Sequence, residues 1–167
     1  TDFAYYFDLI KPDPLSPGAA ASLLSADEAL ISIVSGAEDT YVYAITRDGK
    51  AWHRVPVAWD WLEQSVKTLR LALDTEDLKK NISQAGSLLD LGLAHEIYAK
   101  LLQPLEGVFK DKKHLLIVPS GPLTSLPFQV LVTTKPGILH PDLGQLSEYG
   151  NADWLITCAC SAGPAFE

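Results

Sequence analysis

An unbroken apolar run at residues 115–118, Leu-Leu-Ile-Val, stands between Lys112-Lys113 and Pro119-Ser120-Gly121-Pro122. So short a run, with turn residues on both flanks, predicts a strand buried on both faces. Such strands lie in the middle of a parallel sheet covered by helices, where neither face is wet. Ligands and catalytic groups in that architecture gather beyond the carboxyl ends of the strands, so the turn at 119–122 is the expected functional rim. Upstream, 29–35 reads as a strand. Residues 41–46 read as a second, with Tyr41, Tyr43 and Ile45 on one face and Val42, Ala44 and Thr46 on the other. Asp48-Gly49 is a two-residue hairpin signal that calls for positive φ, and it sets Ile45 opposite Trp52 and Tyr43 opposite Arg54. The third strand is then 51–55, and the three form an antiparallel meander.

Helical spacing appears next. Trp59, Leu62, Val66, Leu69 and Leu73 recur at gaps of three and four, and Asp60 and Glu63 have the spacing of a capping box. Ala94, Ile97, Tyr98, Leu101 and Leu102 form a second stripe, which Pro104 breaks before a further short turn through Phe109. Breakers mark the rest. Three prolines and a glycine in 11–18 predict an extended lead-in, 74–86 loses the helical rhythm, and 134–151 holds too many prolines and glycines for a regular element. The stretch 125–132 is apolar again, with Pro127 suited to the first turn of a helix or to a sheet edge, and Trp154-Leu155-Ile156 reads as the start of one more strand.

Length and charge narrow the picture. The chain of 167 residues suits one α/β domain with a real core. A net charge of −8, from 21 acidic and 13 basic side chains, opposes binding to a phosphate backbone, so no nucleic-acid partner is expected. No run of about 18 apolar residues is present, and the first residues lack a basic region followed by an apolar one. No membrane partner is expected. The two cysteines, Cys158 and Cys160, are too close in sequence for an easy mutual disulfide, and the cytoplasm is the expected compartment.

Four stretches together resemble the CHAT domain, a caspase-like cysteine peptidase family often found beside tetratricopeptide repeats. They are L-L-S-A-D-E-A-L-I-S-I-V (23–34), Y-V-Y-A-I-T-R-D-G (41–49), L-G-L-A-H-E-I-Y-A-K-L-L-Q-P-L (91–105) and H-L-L-I-V-P-S-G-P-L-T-S-L-P-F-Q-V-L (114–131). The resemblance runs from about residue 12 to 156, and the last block is the most specific. It presents a strand, then Pro119, Ser120 and Gly121, then Leu126, Pro127 and Phe128, in the family's order and spacing. The resemblance implies a meander and helices leading into the first strand of a caspase-like parallel sheet. It also implies a thiolate nucleophile with a histidine base, carried by later strands of the family fold. This chain diverges after Ile156, so the expectation is the N-terminal portion of such a domain at 19–156, after a lead-in at 1–18 and before a divergent tail at 157–167. It is expected to lack the His/Cys dyad and to act through protein or peptide partners, with self-association across an open sheet edge.

Other chemistry is weighed against structural readings. Cys160 follows a small residue as the family nucleophile does, yet no His-Gly pair precedes it, and His140 is followed by Pro141. An active cysteine hydrolase using Cys158 or Cys160 is therefore the alternative, and a self-sufficient interaction module is a third reading. Two cysteines one residue apart, without a second close pair, are not a zinc pattern, and no metal or cofactor is expected. His53, His95 and His114 read as structural or solvated. Ser120 follows a strand as serine nucleophiles do, but without the Gly-x-Ser-x-Gly elbow it reads as a turn residue beside a Gly121 that permits close backbone approach. Trp52, Trp59 and Trp61 read as a core seam.

Overall fold

A computed structural model of the chain describes residues 15–73 and 88–155. A four-stranded mixed sheet carries the fold, in the order β3-β2-β1-β4. β1 (Glu28–Ser35), β2 (Thr40–Thr46) and β3 (Lys50–Val55) form the antiparallel meander that the alternating pattern predicts. β4 (His114–Val118) then pairs with β1 in parallel, Ala29 opposite Leu115 and Ile31 opposite Ile117. The α/β class follows the expected pattern, with one parallel pair in an otherwise antiparallel sheet.

Period-two alternation divides the side chains cleanly. Ala29, Ile31 and Ile33 of β1 and Val42 and Ala44 of β2 are buried in one cluster with residues of two helices, α2 (Trp59–Leu73) and α3 (Leu91–Leu101). The first of these supplies Leu62, Val66 and Leu69, and the second supplies Ala94, Ile97, Tyr98 and Leu101, all from the predicted stripes. Burying one such aliphatic side chain is worth about 1.5–3 kcal/mol, so this face anchors the fold. The few buried polar groups are satisfied. Thr40, for example, donates from its hydroxyl to the Val57 carbonyl at 3.1 Å.

Several sequence expectations are corrected. The run at 115–118 is a strand but not a central one: β4 sits at the sheet edge with β1 as its one neighbour among the described residues, and none of its residues is fully buried. An apolar run reports avoidance of water, not strand order, and that is why the pattern misplaced it. The hairpin turn is also displaced. Ile45 faces Lys50 and Tyr43 faces Trp52, with Tyr41 opposite Arg54, so the two-residue loop is Arg47-Asp48 rather than Asp48-Gly49. No residue of the turn adopts positive φ. Thr46 closes it instead: its backbone N–H donates to the Gly49 carbonyl at 2.8 Å, while its hydroxyl accepts from the Gly49 N–H at 3.0 Å. Moving a turn by one residue shifts the register by two, so each side chain keeps its face and only its partner changes.

Boundaries differ in smaller ways. A short helix, α1 (Pro17–Leu23), begins inside the predicted lead-in; Ser16 caps it, accepting from the Ala19 N–H at 3.2 Å, and Pro17 opens it. Serine before proline was the available signal. α2 starts at Trp59, which puts Asp60 in the first turn instead of at the cap, where its carboxylate still meets the positive end of the helix dipole. Trp59 and Leu73, at the ends of the predicted stripe, are 38% and 40% exposed rather than buried. Pro104 ends α3 as expected, in a 3-10 turn leading to α4 (Glu106–Phe109). The stretch 125–132 holds a 3-10 turn (Phe128–Val130) with Pro127 at its cap, and Val132 meets Trp154 in a single antiparallel bridge rather than a strand. The loop expected at 134–151 contains a 3-10 turn (Leu143–Gln145), closed by an Asp142/Gln145 capping box, and α5 (Ser147–Asn151). The predicted loop at 74–86, the tail at 157–167 and both cysteines lie outside the described residues.

Candidate functional site

The carboxyl end of β4 meets the end of β1 and the start of α2, and the residues singled out there all hold structure. Ser120 accepts a hydrogen bond through Oγ from the Ser35 backbone N–H at 2.8 Å, and the Ser35 hydroxyl donates back to the Ser120 carbonyl at 3.4 Å. That reciprocal pair ties the parallel strands together where their ladder stops, and it commits the Ser120 oxygen to the turn. Gly121 follows with φ +57°, a conformation that disfavours any side chain. A Cβ placed there would lie 2.4 Å from the Trp59 ring, so the glycine also admits the indole against the backbone. Close approach, as expected for Gly121, is thus joined to a left-handed backbone.

Beyond Gly121 the chain makes a 3-10 turn (Gly121–Ser125) whose hydroxyls bond locally: Thr124 donates to the Gly121 carbonyl at 2.8 Å and Ser125 to the Pro122 carbonyl at 3.0 Å. Leu123, Leu126 and Phe128 are buried in the core, which fixes the turn from below. Pro119 is half-buried and Pro127 exposed. The turn and α2 form the two walls of an open groove of about 1000 Å³. Trp59, Val66, Leu71, Pro122 and Pro127 give it an apolar lining, and Glu63, Lys67 and Arg70 bring charge to its helical side. Sequence reading placed Trp59 in the buried stripe and Glu63 in a capping box, and missed Lys67 and Arg70. Positions 63, 67 and 70 form a second stripe on α2, beside the buried one, and pattern alone assigns such a stripe to water.

No acid–base pair assembles at this rim among the described residues. His114 opens β4 at the opposite end, and His53 lies on β3. His95 bonds through Nδ1 with the Val132 carbonyl at 3.1 Å. His140 pairs with Asp90 at 3.2 Å, while Asp90 also caps α3 by accepting from the Leu93 N–H at 2.8 Å. The described residues hold no group of three His, Cys, Asp or Glu side chains able to bind a metal ion.

The tryptophans do not form one seam. Trp52 stacks on Tyr43 at 6.3 Å on the open sheet face, Trp59 packs on Gly121, and Trp61 lies under the Lys100 ammonium at 5.5 Å. Two tyrosines carry shifted acidities. Burial, and then a hydrogen bond to the Glu106 carboxylate, raises the Tyr98 phenol well above its ordinary value; burial likewise raises Tyr149, which donates to the Leu89 carbonyl at 2.8 Å. At the same end of the sheet as the rim, an ion pair of 2.8 Å with Asp39 raises Arg54, though both groups meet solvent and the pair is worth little.

Compared with models of known protein families the chain matches none, and no curated protein matches it. No helix among the described residues is long and apolar enough to cross a membrane.

Proposed function

We propose that this chain is the N-terminal portion of a CHAT-like, caspase-type domain that acts by binding protein or peptide without catalysis of its own. One observation carries the reading: the parallel pair β1/β4 ends in an apolar edge strand with no further neighbour among the described residues. An uncharged, proline-free edge is a template for another strand. The rim supports binding over chemistry, because Ser120 is occupied by Ser35 and no histidine stands near it. The block at 114–131 supports the family assignment through its order of strand, Pro119-Ser120-Gly121 turn and Leu126-Pro127-Phe128. The cytoplasm remains the compartment favoured by two cysteines too close in sequence for an easy mutual disulfide.

Light scattering after size exclusion at micromolar concentration tests the edge. The expected result is a dimer or larger species that Ile117→Lys or a Leu116→Lys/Val118→Lys variant converts to monomer. A monomeric wild type with a cooperative melt overturns the open-edge reading in favour of a self-sufficient interaction module. Peptide turnover that is lost in Cys158→Ala or Cys160→Ala establishes the cysteine hydrolase instead.

A further inference from the structure

The groove between α2 and the Gly121–Pro127 turn combines three properties. It is apolar, through Trp59, Val66, Leu71 and Pro122. It is long: Trp59 to Leu73 spans fourteen residue steps of α2, about 21 Å at 1.5 Å per residue. It is also cationic on its helical wall, where Lys67 and Arg70 stand one turn apart and make no hydrogen bond or ion pair with any described residue. In a chain of net charge −8, two cations without a partner among the described residues, beside exposed apolar side chains, are the feature to explain.

We propose that this groove docks an extended acidic peptide segment of a partner protein, with Lys67 and Arg70 holding its carboxylates and Trp59, Leu71 and Pro122 receiving its apolar side chains. An extended strand rises about 3.3 Å per residue, so a length of about 21 Å takes roughly six residues. Their side chains alternate between two directions. A peptide of alternating apolar and acidic residues therefore presents one set towards Pro122 and Pro127 on the turn, with Trp59 seated beside Gly121, and the other towards Lys67 and Arg70 on α2. The groove is open along its length, unlike the enclosed cavities that bury most of a small ligand, and that favours a chain over a small molecule. Glu63, on the same wall nearer Trp59, orients the segment by repelling its acidic side chains towards Lys67 and Arg70. The inference names a partner for the binding reading above and rests on that reading only in requiring that the chain bind peptide.

Fluorescence anisotropy with a labelled hexapeptide of alternating leucine and aspartate tests the proposal on the full chain, with the leucine–asparagine peptide as its neutral counterpart. The acidic peptide is expected to bind at least tenfold more tightly, and to weaken as salt rises because the cations are exposed. Lys67→Ala/Arg70→Ala is expected to cost at least tenfold, and Lys67→Glu/Arg70→Glu to reverse the preference towards a leucine–lysine peptide. Lys110→Ala, away from the groove, leaves affinity unchanged. All of these positions are exposed, so unchanged circular-dichroism melts confirm folding. Equal binding of the acidic and neutral peptides, or full affinity in the double variants, overturns the proposal. Cleavage of the peptide would instead break the non-catalytic reading, while the anisotropy result would still decide the groove.

Discussion

The two faces of the sheet are built from the same strands and meet opposite environments. Ile31, Ile33, Val42 and Ala44, pointing to the helices, are at most 1% exposed, whereas Val34, Tyr43, Trp52 and Val118, pointing the other way, expose 49%, 39%, 63% and 54%. A meander with one wet face normally alternates apolar with polar. Here the outer face also carries Leu30, Tyr41, Ile45 and Leu116, and none of its residues belongs to the core cluster. Alternation assigns side chains to faces, but coverage by helices decides which face stabilises the fold. The exposed apolar side chains of the outer face, Val34, Tyr43, Trp52 and Val118, are then surface available for association.

The sharpest way to break this comparison is to truncate one side chain on each face. Ile31→Ala should lower unfolding free energy by about 2–5 kcal/mol, because the packed helices cannot collapse into the space, while Val34→Ala should cost less than about 1 kcal/mol. Urea titrations of the two variants decide it, and equal losses would mean that both faces are packed in solution.

Next in size is the turn at the end of β4. Gly121→Ala should destabilise by roughly 2–4 kcal/mol, since the left-handed backbone alone costs about 1–2 kcal/mol and the added Cβ displaces the Trp59 ring. Combining it with Trp59→Leu separates the causes: relief of the collision should restore only the part that is not backbone strain. Full restoration would show that the positive φ costs nothing.

A smaller effect on the covered face is read by pH through Tyr98. Tyr98, buried and bonded to Glu106, has its folded-state pKa shifted upward from an unfolded value near 10. The folded state therefore retains a proton that the unfolded state gives up. Its stabilisation is complete below about pH 10 and is lost as pH rises further, by up to about 1.4 kcal/mol per pH unit for one group. Tyr98→Phe should cost about 1 kcal/mol at neutral pH and flatten that alkaline decline. Melting temperatures between pH 8 and pH 11, taken at roughly half-unit steps across the tyrosine range, measure both.

The smallest effect expected is that of Ser120→Ala. It removes one hydrogen bond to Ser35 and should cost about 1 kcal/mol in the same urea titration, without altering any peptide hydrolysis. Loss of a hydrolytic activity in this variant would return Ser120 to the list of nucleophiles.

Local sequence determined a good deal of this protein. The sequence pattern specified three strands and, in 41–46, the face of each side chain, and the stripes at 59–73 and 94–102 specified which sides of two helices are buried, apart from the exposed ends of the first. A strand, then a turn needing glycine, was legible at 114–121. Each of these depends on neighbours a few residues apart, where periodicity and backbone preference act directly. Tertiary structure decided the rest. Parallel pairing with β1 placed Leu115–Val118 at an edge, and the seating of Trp59 on Gly121 opened a groove beside Lys67 and Arg70. Neither of these has a local signature, because strand order, helix coverage and the approach of residues 62 positions apart arise only when distant segments compete for the same surface.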